Sequence, residues 1–149
     1  MLKYFFSLIV LFLVDRFFKV LFILRPSLAQ RGGFIDLFIN ENVAFSLPLN
    51  YFILYPLVFL ILFFLLWQWL AAFRSKSILI WPWALIIIGA SSNLIDRLKY
   101  GGAIDFINVP YFTVLNIADI YISIGVVWII WYSWFYRPKG EDIRGVKKS

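Results

Sequence analysis

Eight carboxylates hold nearly all the acid–base capacity of this 149-residue chain: Asp15, Asp36, Glu41, Asp96, Asp105, Asp119, Glu141 and Asp142. There is no histidine and no cysteine. That removes Ser-His pairs, thiol nucleophiles, thiolate metal sites, disulfides and the usual zinc ligands. What carboxylates can do alone is aspartic peptidase chemistry. Two like charges a few ångströms apart cannot both ionise, so such a pair holds one proton. The ionised member can take a proton from water as it attacks a peptide carbonyl, and the protonated member can donate to the developing oxyanion or the leaving nitrogen. No metal and no cofactor is required. The sequence must therefore show which acids converge.

The elements that would bring them together lie in a membrane. The chain is 63% hydrophobic and 15% charged, against about 45–50% and about 25% in a soluble domain. Soluble globular and disordered chains are both excluded. Four stretches are long and apolar enough to span a bilayer, at about 4–24, 51–73, 78–98 and 112–136. Arg25-Pro26 ends the first and Arg137-Pro138 the last, because proline cannot continue a helix. Lys3 before an apolar run resembles the start of a signal peptide. Asp15, Arg16 and Lys19 interrupt that run and no small-residue cleavage site follows, so the first span is read as a retained helix.

Lys and Arg set the orientation. Arg74-Ser75-Lys76, the N-terminal Lys3 and the basic tail 137–149 share one side, which is therefore cytoplasmic. The net charge of +6 resides largely in these flanks, so it marks a juxtamembrane tail and not a nucleic-acid surface. Segments 25–50 and 99–111 lie outside. In the first, Ile35–Ile39 and Val43–Leu47 flank Asn40-Glu41-Asn42, the pattern of a small β-hairpin or sheet at the membrane surface. The expectation is one integral membrane domain over 1–149: an all-α polytopic protein with four transmembrane helices and a small extracytoplasmic β element.

Six ionisable residues fall within spans, where they are costly and face a bundle interior or cavity: Asp15, Arg16, Lys19, Asp96, Arg97 and Asp119. Asp15 and Lys19 are four apart and can pair on one helix face, a structural role that orients the first helix. The third span runs outward, placing Asn93, Asp96 and Arg97 on one face near its outer end. The fourth runs inward, with Asn116 and Asp119 one to two turns from its outer end. Asp105 sits in the outer link within Ala103-Ile104-Asp105-Phe106-Ile107, unusually apolar for a solvated loop. Three aspartates thus reach one depth near the outer leaflet. Asp96 admits two readings, pairing with the adjacent Arg97 or acting catalytically. The alternative for the whole chain is a proton- or ion-coupled small transporter. Against it, the acids cluster at one face, whereas transporter sites lie near the midplane.

These residues resemble the lipoprotein signal peptidases, bacterial signal peptidase II, from Asp15 to about Ile124. Asp15-Arg16-Phe17-Phe18-Lys19 is similar to the family's Asp and Lys four apart. Asn40-Glu41-Asn42-Val43-Ala44-Phe45-Ser46 is similar to its Asn-x-Gly-x-Ala-Phe-(Gly/Ser). The run from Gly89 to Arg97 resembles its Gly-rich helix ending in Gly-Asn-x-x-Asp-Arg. Ile104-Asp105-Phe106 resembles Val-Asp-Phe, and Leu115 to Asp119 resembles Phe-Asn-x-Ala-Asp. The resemblance implies an aspartic endopeptidase of the bacterial inner membrane with both termini cytoplasmic and its site near the outer leaflet. It would cut diacylglyceryl-modified prolipoproteins before the lipidated cysteine. The implied partners are that substrate and membrane lipids, with no metal and no nucleic acid. Asp105 and Asp119 would be the catalytic dyad. Asn40, Asn93, Asp96, Arg97 and Asn116 would bind substrate and shape the site. Asn42 and Ser92 stand where the family has glycines; asparagine tolerates the left-handed backbone of a turn.

Overall fold

The computed structural model describes residues 2–29, 33–41, 51–111 and 113–136. Four long helices dominate: α1 (Leu2–Leu24), α2 (Tyr51–Arg74), α3 (Ile80–Tyr100) and α4 (Ile117–Phe135). A single turn of 3-10 helix over Pro26–Leu28 follows α1, where Pro26 breaks the ladder after Arg25 N–H has bonded Leu21 O at 2.8 Å. The described residues also hold three short strands: β1 (Ile35–Asn40), β2 (Ala103–Val109) and β3 (Thr113–Leu115).

The strands form one antiparallel sheet in the order β1-β2-β3. Asn40 pairs with Ala103, Phe38 with Asp105 and Ile107 with Leu115. The expected β element at Ile35–Ile39 is present, but among the described residues its partner is β2. The second expected arm, Val43–Leu47, lies outside the described residues, as does the basic tail from Arg137. The outer link 99–111 is correspondingly more than a link, since it contains β2. Phe106 of β2 anchors the sheet on α1, with ring centroids 4.9 Å from Phe22 and 6.2 Å from Phe18.

Helix ends differ from expectation in instructive places. The fourth helix begins at Ile117, not near 112, because Thr113–Leu115 pairs with β2 and Asn116 then starts the helix. Asn116 accepts from the Asp119 N–H while the Asp119 carboxylate accepts from the Asn116 N–H, a reciprocal cap that fixes the first turn. The third helix runs to Tyr100 and closes on Gly101, whose φ of 78° is left-handed and free of steric cost only in glycine.

Helices α3 and α4 pack almost backbone to backbone. A Cβ on Gly89 would lie 2.4 Å from Ala118 O, and one on Gly125 would lie 2.7 Å from Pro82 O. The close approach sets the first turn of α4 against α3. Helix α2 packs against α3, and its Tyr55 hydroxyl donates to Arg97 O at 3.2 Å.

The distribution of polarity is inverted relative to a soluble protein. Phe52, Phe63, Trp67 and Trp134 are at least 65% exposed, while Asp15, Lys19, Ser92, Asp96 and Asn116 are 0% exposed. Water would not tolerate the first set or require the second to be hidden. Among the described residues, two helices are by length and composition apolar enough to cross a membrane, Phe52–Arg74 and Ile117–Phe135. Helices α1 and α3 instead carry the polar residues that meet each other inside.

Candidate active site

Where α1, α3 and α4 meet β1 and β2, the sequence's polar residues converge into two adjoining clusters. The first is ionic. The Lys19 ammonium is fully buried and reaches three acceptors: Asp96 Oδ2 at 2.7 Å, Asn93 Oδ1 at 2.8 Å and Asp15 Oδ2 at 3.0 Å. Arg16 pairs with Asp96 Oδ1 and donates to the Ser92 hydroxyl at 3.1 Å. Two acids and two bases balance, as buried charges must. Asp15 and Lys19 do pair as their spacing suggested. Asp96, however, pairs with Arg16 and Lys19 of α1 and not with its neighbour Arg97, whose Nη1 donates instead to Asn93 O at 3.3 Å. Consecutive helix residues point about 100° apart, so adjacency in sequence does not make a pair.

Asp15 has a second duty. Its Oδ1 accepts from the Ala118 N–H at 2.8 Å. It therefore caps the first turn of α4 from a different helix, using an amide donor the helix itself leaves free. Arg16 and Ser92 are the participants that sequence reasoning did not place in the site. The visible signal for Arg16 was charge balance: Asp15 and Asp96 need two cations, and Lys19 supplies one.

The second cluster holds the two remaining acids. Asp105 is buried on β2, and its two oxygens accept from Asn116 Nδ2 at 2.6 Å and Asn40 Nδ2 at 3.0 Å. Asp119, half-buried in the first turn of α4, accepts from Asn93 Nδ2 at 2.8 Å and the Asn116 N–H at 3.1 Å. Among the described residues no cation forms an ion pair with either. Asn116 Nδ2 also donates to Asn93 Oδ1 at 3.0 Å, so the two asparagines join the two aspartates.

The physical consequence appears at Asp105. Its pKa is raised from 3.8 to about 7: burial lifts it most and the neighbouring Asp119 second, while bonds from Asn40 and Asn116 and the charge of Lys19 oppose the rise. A carboxyl poised near neutrality beside a second, more accessible carboxyl can hold the single proton that aspartic chemistry needs. The structure thus brings Asn40, Asn93, Asp105, Asn116 and Asp119 into mutual contact. Asp96 adjoins them through Lys19 and its acceptance of the Ile104 N–H at 3.4 Å, while Arg97 adjoins them through Asn93.

A bundle of helices with a small sheet over two amide-held aspartates has the makings of an aspartic hydrolase. Comparison with known proteins narrows this. The family profile described as signal peptidase (SPase) II matches residues 7–135, and the chain belongs to that family. A relative named lipoprotein signal peptidase from Bartonella henselae is 41% identical over 98 residues, covering 61% of this chain and 60% of that one. One of the same name from Sulfurovum is 32% identical over 142 residues, covering 87% and 90%. The first relatives are matched over about three fifths of their length. A solved bacterial membrane enzyme shares the fold at a TM-score of 0.70 and 20% identity, over 95% of both chains. The transporter reading finds no support among these relatives.

Proposed function

We propose that the protein is a lipoprotein signal peptidase. It is an aspartic endopeptidase of the bacterial inner membrane that removes the signal peptide of diacylglyceryl-modified prolipoproteins, cutting before the lipidated cysteine. The observation that carries this reading is the pairing of environments at Asp105 and Asp119. Both carboxyls are held by neutral amide donors, and Asp105 is raised to about 7. Family membership and the relatives' shared name support the substrate class.

One carboxyl of the pair, ionised, takes a proton from water as that water attacks the scissile carbonyl. The other, protonated, donates to the oxyanion and the proton is returned to the leaving nitrogen. Asn40, Asn93 and Asn116 hold the carboxyls in place without ion-pairing them, so their proton remains exchangeable. The Asn-capped turn of α4 fixes Asp119 relative to β2. All four long helices cross the membrane in this reading, with both termini inside. The exposed apolar faces of α2 and α4 and the buried polar ends of α1 and α3 support that placement.

Purified protein incubated with a synthetic diacylated prolipoprotein peptide should release a signal peptide ending just before the lipidated cysteine. The unlipidated peptide should remain whole. An untouched lipidated peptide would overturn the assignment. The chain has no native cysteine, so topology can be tested separately. Ser75→Cys in intact cells should escape an impermeant thiol reagent and Thr113→Cys should react; the reverse pattern would overturn the orientation.

A further inference from the structure

The asparagines at the dyad can be oriented in two ways, and the structure shows what chooses between them. An Asn amide presents a carbonyl on one side and an NH2 on the other, and only the NH2 can donate to a carboxylate. The Asn116 amide is fixed because its Oδ1 must face the Asp119 N–H, at 2.9 Å, a group that can only donate. Its Nδ2 is thereby turned to Asp105 and to Asn93 Oδ1. The Asn93 amide is fixed in the same manner by Lys19. An ammonium has three donors and no acceptor, so whatever it touches must accept. Asn93 Oδ1 faces Lys19 at 2.8 Å, and Nδ2 is left pointing at Asp119 Oδ1 at 2.8 Å.

We infer that Lys19 is a positioning residue for the proposed dyad: through the Asn93 amide it holds the hydrogen bond to Asp119. The inference rests on the assignment of Asp105 and Asp119 as the reacting pair. It gives Lys19 a role that neutralising Asp15 does not require. All three of its donors are used, two on the acids Asp15 and Asp96 and the third on the neutral carbonyl of Asn93. A lysine serving charge balance alone has no need of the third. Were the Asn93 amide reversed, its carbonyl would face the Asp119 carboxylate and its NH2 would face an ammonium and the Asn116 NH2. That is three repulsive contacts in place of three bonds.

The test compares Lys19→Met with Lys19→Gln. Both remove the same charge and so share the same structural penalty, but glutamine keeps an NH2 able to donate to Asn93 and methionine does not. Rates are measured on the diacylated prolipoprotein peptide, per folded protein, well below each variant's melting point. Lys19→Met should lower kcat roughly 10- to 100-fold, the scale of a lost bond to a charged group, with KM little changed. Lys19→Gln should recover most of that loss. Equal losses in both variants, or wild-type kcat in Lys19→Met, would overturn the inference. If the single variants do not fold, the same comparison is made in an Asp15→Asn background. There Arg16 and Asp96 remain balanced and the side-chain carbonyl at position 15 can still accept from Ala118. The same methionine–glutamine gap is expected, and its absence counts against the inference. Wild type and Asp105→Asn run alongside: cleavage by Asp105→Asn would sink the dyad, whereas an equal Met and Gln loss with an inactive Asp105→Asn would sink only the role of Lys19.

Discussion

Among the described residues, four aspartates gather where α1, α3 and α4 meet the sheet, and they divide into two pairs with opposite surroundings. Asp15 and Asp96 are 0% exposed and held by the cations Lys19 and Arg16. Among the described residues, Asp105 and Asp119 receive only amide donors. The first pair is committed to ion pairs and a helix cap that tie α1 to α3 and α4. At Asp105, burial and the neighbouring Asp119 outweigh the opposing amide bonds and lift the pKa to about 7. The same residue type is thus ion-paired in one pair and, in the proposed function, left to carry the proton in the other. Asn93 and Lys19 stand at the boundary and join the two pairs, and among the described residues no cation forms an ion pair with the second.

The largest test of that division is removal of the proton-carrying capacity. Asp105→Asn and Asp119→Asn should each lower cleavage on the order of 10³-fold or more, and the double variant should be scarcely slower than either single one, because the pair acts as a unit. Both variants should fold. Robust cleavage by either would erase the distinction. Next in size, and opposite in kind, is Asp96→Asn. It strands Arg16 and Lys19 beside one remaining carboxylate. Breaking a buried pair by removing one partner costs about 3–5 kcal/mol, so this variant should lose thermal stability steeply. If it keeps the wild-type melting point but loses cleavage, Asp96 belongs with the reacting pair.

The contrast between the pairs was only half legible in the sequence. Long apolar runs announced four helices, and charge asymmetry put Asp96, Asp105 and Asp119 at one depth. The partners of Asp96 were not visible, because Arg16 lies 80 residues away and no local spacing encodes that contact. The neighbour Arg97 offered a misleading alternative. Strand β2 was hidden because Ala103, Ile104, Asp105 and Phe106 are all buried, so the alternation that marks a strand is missing. Phe112–Leu115 is apolar enough to extend the fourth helix on composition. The Asn116-x-x-Asp119 cap was the signal that the helix starts later.

A subtler difference between the pairs concerns pH. The folded protein lifts Asp105 from 3.8 to about 7, first by burial and then by the proximity of Asp119. Folded chains therefore bind this proton more tightly than unfolded ones. Between those two values the contribution of Asp105 to stability falls as pH rises, and above about 7 the penalty is complete. Asparagine carries no such penalty. Asp105→Asn should melt above wild type at about pH 8 and close to it at about pH 4, despite being inactive. Wild-type cleavage should decline on the alkaline side as Asp105 loses its proton. A variant no more stable than wild type at about pH 8 would mean that Asp105 is not held neutral.

The smallest test lies wholly inside the ion-paired cluster. Ser92 is 0% exposed, donates to Asp15 Oδ2 at 2.5 Å and accepts from Arg16 at 3.1 Å. It therefore links the two ion pairs, and it stands where the resemblance places a glycine. Ser92→Gly removes both bonds but leaves every carboxylate its cation: Asp15 keeps Lys19 and the Ala118 N–H, and Asp96 keeps Arg16 and Lys19. The hydroxyl is bonded to charged groups, and glycine within a helix costs roughly 0.5 kcal/mol more than serine. The sum is a destabilisation of roughly 2 kcal/mol. Ser92 touches neither Asp105 nor Asp119, so cleavage at low temperature should stay near wild type while the melting point falls. Loss of cleavage at an unchanged melting point would show that the two clusters are one machine and that the division between them is false.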